Sequence, residues 1–415
     1  MPPLSFDILA RSGQTAGRTG TVTTPHGSFE TPAFMTVGTK ATVKGLTPGM
    51  VADCGAQIVL NNTYHLMMRP GPEVVRDLGG SHRVMNWHGP ILTDSGGFQA
   101  YSMADASRLS DDGVVFRHEV SGDRVTLGPE LSMKVQNDLG ADIIMAMDDC
   151  PPAEDPLAAP ANLHRPKIAQ ARLSDYSHER RLDEANDRTV QWLERCVAAH
   201  ARPEDQALFG IVQGGTDLDR RRASVERVCS FDLPGFAIGG VAVGESTEDI
   251  HRIVRATAPL LPGSKPRYLM GVGYPADLVA ASLAGVDMFD CVLPTRNGRN
   301  ANAFVPGGQI RLKNARFERD PLPIEPGCDC PACDPARYPW ASHMCPDGAC
   351  FSRGTIRHYF RADEMLGPIL VSLHNLRQYQ RLMADIRTTI RTDAWADFAK
   401  KWPSAAAGLP AEVLA

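Results

Sequence analysis

The sequence predicts an α/β fold, a (β/α)8 TIM barrel with a metal-binding subdomain inserted near its C-terminal end. Three observations carry that prediction. Eight short apolar runs end in Gly, Asp, Asn or Gln; helix-like stretches separate them; and five of the ten cysteines crowd into residues 328–350. Continuous apolar strands suit a parallel sheet covered on both faces, and eight of them alternating with helices close into a barrel. A doubly wound open sheet is the other reading of the same alternation.

The elements follow in chain order. Residues 4–32 (SFDILARS, GTVTTPHGSFETPAF) read as an antiparallel hairpin pair that caps the barrel bottom. The eight strand runs are PAFMTVG (32–38), AQIVLNN (56–62), PILTDSGG (90–97), ADIIMAMDD (141–149), ALFGIVQGG (207–215), GFAIGGVAVGE (235–245), RYLMGVG (267–273) and VDMFDCVLP (286–294). VVFRHEVSGDRVTL (114–127) reads as a second hairpin with SGD at its turn. Pro and charge accumulate at 151–190, a long exposed connection and the start of its helix. The barrel with its hairpin cap is expected over 1–395 and the metal-binding subdomain over 320–374, after the eighth strand. An Ala/Pro-rich tail over 396–415 is expected to fray beyond Trp402.

Bulk properties narrow the class. The chain has 415 residues, 43% of them hydrophobic, and a net charge of −5. No apolar run approaches the ~20 residues of a membrane span. The N-terminus lacks the basic-then-apolar layout of a signal peptide, so a cytoplasmic enzyme is expected. Any polyanion contact must use a local patch. The best candidate is 296–319, where Arg296, Arg299, Arg311, Lys313, Arg316 and Arg319 face only Glu318; a solvated loop face is the bland alternative. No GxGxxG or GxxxxGK[ST] occurs, which disfavours dinucleotide oxidoreductases and kinases.

In a parallel barrel the C-terminal strand ends share one face, where active sites sit. Those ends supply Asp94, Asp148, Gln213, the Gly239–Gly240 pair, Met270 and Asp290. Two carboxylates allow a nucleophile or cation stabiliser beside an acid/base. A third, with Gln213 and glycine backbone, suits the mixed donor and acceptor edge of a flat heterocycle, and Phe98 with Met270 could sandwich its ring. A single Asp at such a place is often a turn or helix-cap residue; three at strand ends weaken that reading. In 288–300, Asp290 precedes a Pro-Thr turn and a basic loop with Arg296 and Arg299, groups that hold phosphates or bases.

CDCPAC (328–333) places three thiols within six residues, a spacing that binds one soft cation tetrahedrally with a fourth ligand. His343, Cys345, Cys350, His358 and His374 compete for that place. Four protein ligands leave no open position, so the site reads as structural.

These motifs, with NNTYHL (61–66), LTDSGGFQ (92–99), MAMDDC (145–150) and MFDCVLPTRNGRN (288–300), closely resemble the tRNA-guanine transglycosylases, most of all the bacterial queuine-type enzymes. The resemblance spans nearly the whole chain. It implies exchange of the wobble guanine of GUN-anticodon tRNAs for the queuine precursor preQ1 by a homodimer. It implies Asp290 as nucleophile toward ribose C1′ and Asp94 as general acid/base. It implies Asp148, Gln213, Gly240 and Val241 at the base, with Phe98 and Met270 stacking on it. It implies Thr295, Arg296 and Arg299 at the RNA, and one structural zinc on Cys328, Cys330, Cys333 and His374. Asp290 is expected to ionise near the ordinary aspartate value of ~3.9, and Asp94 to be raised by burial or by carboxylate neighbours.

Three departures stand out. The Cys333–His374 segment is longer than the family pattern, and the extra piece carries His343, Cys345 and Cys350. Val241 replaces the more usual Leu, and Asp149 stands where Glu is common. Val243 in AVGE favours preQ1 over queuine. Two other functions fit the residues: a nucleoside or glycoside hydrolase using Asp290 and Asp94 with water, and a zinc-stabilised RNA-binding protein with a dead barrel. The intact carboxylate pair argues against the second.

Overall fold

The computed structural model describes residues 2–99, 108–118, 121–155, 176–338 and 350–414. Strands β1 (Ser5–Arg11), β2 (Arg18–Thr24) and β3 (Gly27–Thr31) form an antiparallel sheet. The barrel begins with β4 (Ala33–Val37), β5 (Val59–Asn61) and β6 (Ile91–Thr93). A second antiparallel sheet, β7 (Arg108–Ser110), β8 (Gly113–Arg117) and β9 (Arg124–Leu127), intervenes. The barrel resumes with β10 (Ile143–Met145), β11 (Ala207–Val212), β12 (Gly235–Ile238), β13 (Arg267–Leu269) and β14 (Met288–Asp290). All eight pairings are parallel, and β14 closes on β4. The closed (β/α)8 reading therefore holds and the open sheet does not.

Period-two alternation divides each strand between two cores. Met35, Leu60, Leu92, Met145, Ile211, Ala237, Tyr268 and Met288 fill the barrel interior. Their neighbours Phe34, Val59, Ile91, Ile144, Val212, Ile238, Leu269 and Phe289 pack outward under the helices. Continuing the inward column by two residues gives Asp94, Gln213, Met270 and Asp290. The same alternation that fills the barrel thus delivers these groups to its open end.

The N-terminal sheet plugs the other end. Leu4, Val22 and Phe29 join the interior cluster. Arg18 is buried and donates to Asp287, just before β14, from Nε at 2.9 Å and from Nη2 at 2.6 Å. Its remaining donors meet the Gly263 and Lys265 carbonyls. Asp142, just before β10, takes His26 and His82 on its two oxygens. Burial alone would raise that carboxyl, but His82, the Ile91 N–H and His26 hold it below the usual range.

Three differences from the sequence reading have plain causes. The 114–127 hairpin gains a third strand, because the Asp111 turn is tied to the helix His178–Ala199 by Trp192 Nε1 and Arg195 Nη1, each 2.7 Å from the Asp111 carbonyl. The basic loop after Asp290 is a helix, Leu293–Arg299, with Pro294 in its first turn, where a missing N–H costs nothing. The stretch beyond Trp402 packs rather than frays: Ala405 is buried, and Gly408 lies so close to the Ala276 carbonyl that a side chain there would collide. His343 and Cys345 lie outside the described residues, as does most of 151–175.

After β14 the chain forms the hairpin β15 (Asn302–Val305) and β16 (Gly308–Arg311). A third apolar cluster then gathers Ala303, Leu312, Phe317, Ile324 and Ile356 around Cys328, Cys330 and Cys333. The 27-residue helix Leu366–Thr392 follows and returns along the barrel.

Candidate active site and metal centre

Asp290 ends β14 with both its hydrogen bonds on one oxygen. Tyr268 Oη donates to Oδ1 at 2.6 Å, and the Gly271 N–H donates to the same oxygen at 2.8 Å. Burial raises the Asp290 carboxyl above its ordinary value, and the two donors pull it back. This corrects the expectation of an untuned aspartate: the anion depends on Tyr268 and Gly271. Burial and the Asp290 charge push the Tyr268 phenol well above its usual range, so it stays a donor.

Asp94 follows β6. Asn62 Nδ2 donates to its Oδ2, and the Thr63 N–H donates to Oδ1 at 2.8 Å. Asn62 also caps the helix Thr63–Met68, accepting from the His65 N–H, so one side chain both starts a helix and orients a carboxyl. Burial is the main cause that lifts Asp94 to about 7; the Asp290 charge adds to it, and the Thr63, Gly96 and Asn62 donors oppose it. The Asp290 charge thus favours the proton on Asp94.

Asp148 is buried and accepts from Gln213 Nε2 at 2.5 Å. Burial first, then neighbouring Asp149, lifts it to about 7 against Gln213 and Ser95. Gln213 Oε1 is buried without a hydrogen-bond partner among the described residues. Any side chain on Gly240 (φ +61°) would collide with that oxygen, and a Cβ on Gly239 would stand 2.8 Å from Gln213 Nε2. Glycine is needed at both positions. Phe98, 44% exposed, lines a cleft with Gly97, Leu109, Val114, Asp148, Asp149, Cys150 and Trp192. Met270 packs on the barrel interior. Val241 is buried in the outer core.

Arg296 is exposed and Arg299 half-buried on the helix after Asp290. Thr295 is buried, and its hydroxyl donates to the Val292 carbonyl inside its own helix. Its side chain is thus turned from the surface where RNA contact was expected.

Cys328, Cys330, Cys333 and His374 converge, all buried. Their sulfurs lie 3.7, 3.5 and 3.6 Å from His374 Nδ1. A tetrahedral ion with bonds of ~2.3 Å to sulfur and ~2.0 Å to nitrogen sets that edge at about 3.5 Å. His374 Nε2 lies 2.7 Å from the Phe304 carbonyl, a contact that places the proton there and leaves Nδ1 to ligate. The residues fit a metal ion. Cys350 is partly exposed and only reaches toward the Pro321 carbonyl, and His358 is exposed; neither joins the group.

Sequence reading missed Tyr268, Asn62 and Arg221. Tyr268 sits two residues before Met270 on the inward column, so alternation would have found it. Asn62 falls at the end of the second apolar run. Arg221 shares a helix face with Val225 and Val228, a spacing that marks it as buried.

A closed parallel barrel with three carboxyls at its open end and a Cys3His group defines a (β/α)8 enzyme with a metal-binding insertion. The family model described as queuine tRNA-ribosyltransferase matches residues 13–165 and 166–407. A queuine tRNA-ribosyltransferase of Symbiobacterium thermophilum is 48% identical over 95% of this chain and 90% of its own length. Those of Thermus thermophilus and Lysinibacillus sphaericus are 48% and 45% identical, each over 97% of this chain, and over 94% and 96% of their own lengths. The chain belongs to the queuine tRNA-ribosyltransferase family. Membership makes it a pentosyltransferase.

Proposed function

We propose that this chain exchanges the wobble guanine of GUN-anticodon tRNAs for preQ1 through a covalent Asp290–ribose adduct. The observation that carries the reading is the unequal carboxyl pair at the barrel mouth. Asp94 holds a proton up to about pH 7, partly because Asp290 carries the charge. With Tyr268 and Gly271 both on Oδ1, the other oxygen of Asp290 is left to bond C1′. As that bond forms, the bond from C1′ to the base breaks, and its electron pair leaves with guanine, which Asp94 protonates. The incoming base then gives its ring N–H proton to Asp94 and takes C1′ from Asp290.

The other residues bind and orient. Asp148 and Gln213 face the polar edge of the base, Gly240 and Val241 supply backbone beside it, and Phe98 and Met270 flank its ring. Arg296 and Arg299 hold the neighbouring nucleotides, which an anticodon loop presents without unpairing a helix. Zinc on Cys328, Cys330, Cys333 and His374 is structural, tying the insertion to the long helix. The family resemblance supports a homodimer acting in the cytoplasm; among the described residues no helix is long and apolar enough to cross a membrane.

Labelled guanine tests the reading. Exchange puts label into tRNA without strand loss. A hydrolase would leave abasic tRNA and no label, and that result would overturn the proposal.

A further inference from the structure

Arg221 is a buried guanidinium that no carboxylate pairs with among the described residues. All its hydrogen bonds go to backbone carbonyls at the ends of β11 and β12. Nε donates to Gly215 at 2.9 Å, Nη1 to Val212 at 3.3 Å and to Gly239 at 2.6 Å, and Nη2 to Gly240 at 2.8 Å. Burial lowers its pKa only to about 10, so it stays charged at neutral pH. Placing a charge here without a counter-ion is costly unless its hydrogen bonds are all made. A leucine or methionine would fill the space at less cost if packing were the only task.

The geometry gives the charge a use. In a planar trans peptide the C=O and N–H point in opposite directions. Holding the Gly239 carbonyl against Arg221 turns the Gly240 N–H to the other side. On that side lies Cys150, which lines the cleft with Asp148 and Phe98. Gln213 packs against the same glycines so closely that neither tolerates a side chain. Arg221, the Gly239–Gly240 pair and Gln213 therefore form one rigid assembly, with the cation behind it and an N–H donor in front.

A 6-oxopurine edge offers two donor groups beside one oxygen acceptor. Asp148 suits the donors, and an N–H backed by a positive charge suits the oxygen. We infer that Arg221 is a positioning residue that presents the Gly240 N–H to the oxo oxygen of the base and so selects 6-oxopurines over bases that lack that oxygen. This rests on the base-exchange reading above.

The test compares guanine with 2-aminopurine, which keeps the amino group but lacks both the oxygen and the N1–H, so only the Arg221-dependent part of the preference reports on the oxygen. Both bases are followed in direct binding and in exchange on tRNA. Wild-type protein should favour guanine by ~10²-fold or more, as expected where the Gly240 N–H and one Asp148 oxygen would otherwise go unpaired. Arg221→Met should weaken guanine by ~10–100-fold in KM, leave 2-aminopurine within a few-fold, and change kcat at saturating base much less. Arg221→Lys, which keeps charge but not the fork, should recover part of the preference. Equal loss for both bases, or a full preference for guanine in Arg221→Met, overturns the inference. Should Arg221→Met not fold, 15N-glycine-labelled wild type decides: the Gly240 amide must shift with guanine and not with 2-aminopurine, and an equal response contradicts the proposal. Arg221-dependent guanine preference without label reaching tRNA would support this inference while overturning the exchange reading.

Discussion

Tyr268 Oη lies 2.6 Å from Asp290 Oδ1, and the ring that carries it is part of the barrel interior. A residue that packs the core therefore also fixes the charge state of the carboxylate above it. Hydrogen bonds to a charged group are worth about 1.5–3 kcal/mol. Tyr268→Phe keeps the ring and removes the donor, leaving the Gly271 N–H alone. Single-turnover adduct formation should slow by ~10-fold or more, and its acid limb should move to higher pH. An unmoved acid limb would show that Tyr268 does not tune Asp290.

Asp94 supplies the alkaline limb. Its proton is present below about pH 7 and lost above it, so guanine release should fall as pH rises through that value. Asp94→Asn should lower release by ~10²–10⁴-fold, the usual contribution of a positioned acid, and remove the limb. Stopped-flow release of labelled guanine measures both.

Asp148 makes a prediction about stability. Its folded value of about 7 exceeds its unfolded value of 3.8. The folded state thus holds a proton that the unfolded chain gives up between these values, and stability falls as pH rises through that window. Asp148→Asn should raise Tm relative to wild type at pH 8 and change little at pH 4. Calorimetry at the two pH values checks the sign; a variant less stable at pH 8 than wild type contradicts it.

Metal analysis should find one zinc per chain, lost in His374→Ala along with cooperative unfolding of the insertion. Retention of a full equivalent in His374→Ala, with loss in Cys345→Ala, would move the fourth ligand into the segment between Cys333 and His374.

Arg18 and Asp287 are fully buried partners at the barrel bottom. Arg18→Met strands a buried carboxylate and should cost about 3–5 kcal/mol in denaturant unfolding. Replacing Asp287 by Leu as well should recover most of that. Equal losses in the single and double variants would mean that the pair's charge is not what matters.

Much of this was legible in the residues. The eight apolar runs gave the barrel because each strand is short, buried on both faces and ends in a polar residue. Asp94, Gln213, Met270 and Asp290 followed from strand-end position alone. The Cys328, Cys330 and Cys333 spacing declared a metal group, while His374, more than forty residues on, needed the resemblance to be chosen and the fold to be placed. What stayed hidden depends on tertiary contact. The Asp290 environment is set by Tyr268 on a neighbouring strand, and the Asp94 environment by Asn62 from another. Thr295 turned inward because Leu293–Arg299 coils into a helix, where a Pro-Thr turn and loop had been the natural reading. Arg221 shares LDRRRASVERV with three other arginines, and only its spacing to Val225 and Val228 sets it apart as the buried one.

The central claim is that Asp290 bonds the ribose of tRNA. The most direct measurement digests the denaturant-stable protein–tRNA complex with nuclease and protease and locates the ribose-bearing peptide by mass. The account predicts the mass on the peptide that contains Asp290, and no complex from Asp290→Ala. A ribose adduct on the peptide that contains Asp94, or a complex of normal yield from Asp290→Ala, would contradict it.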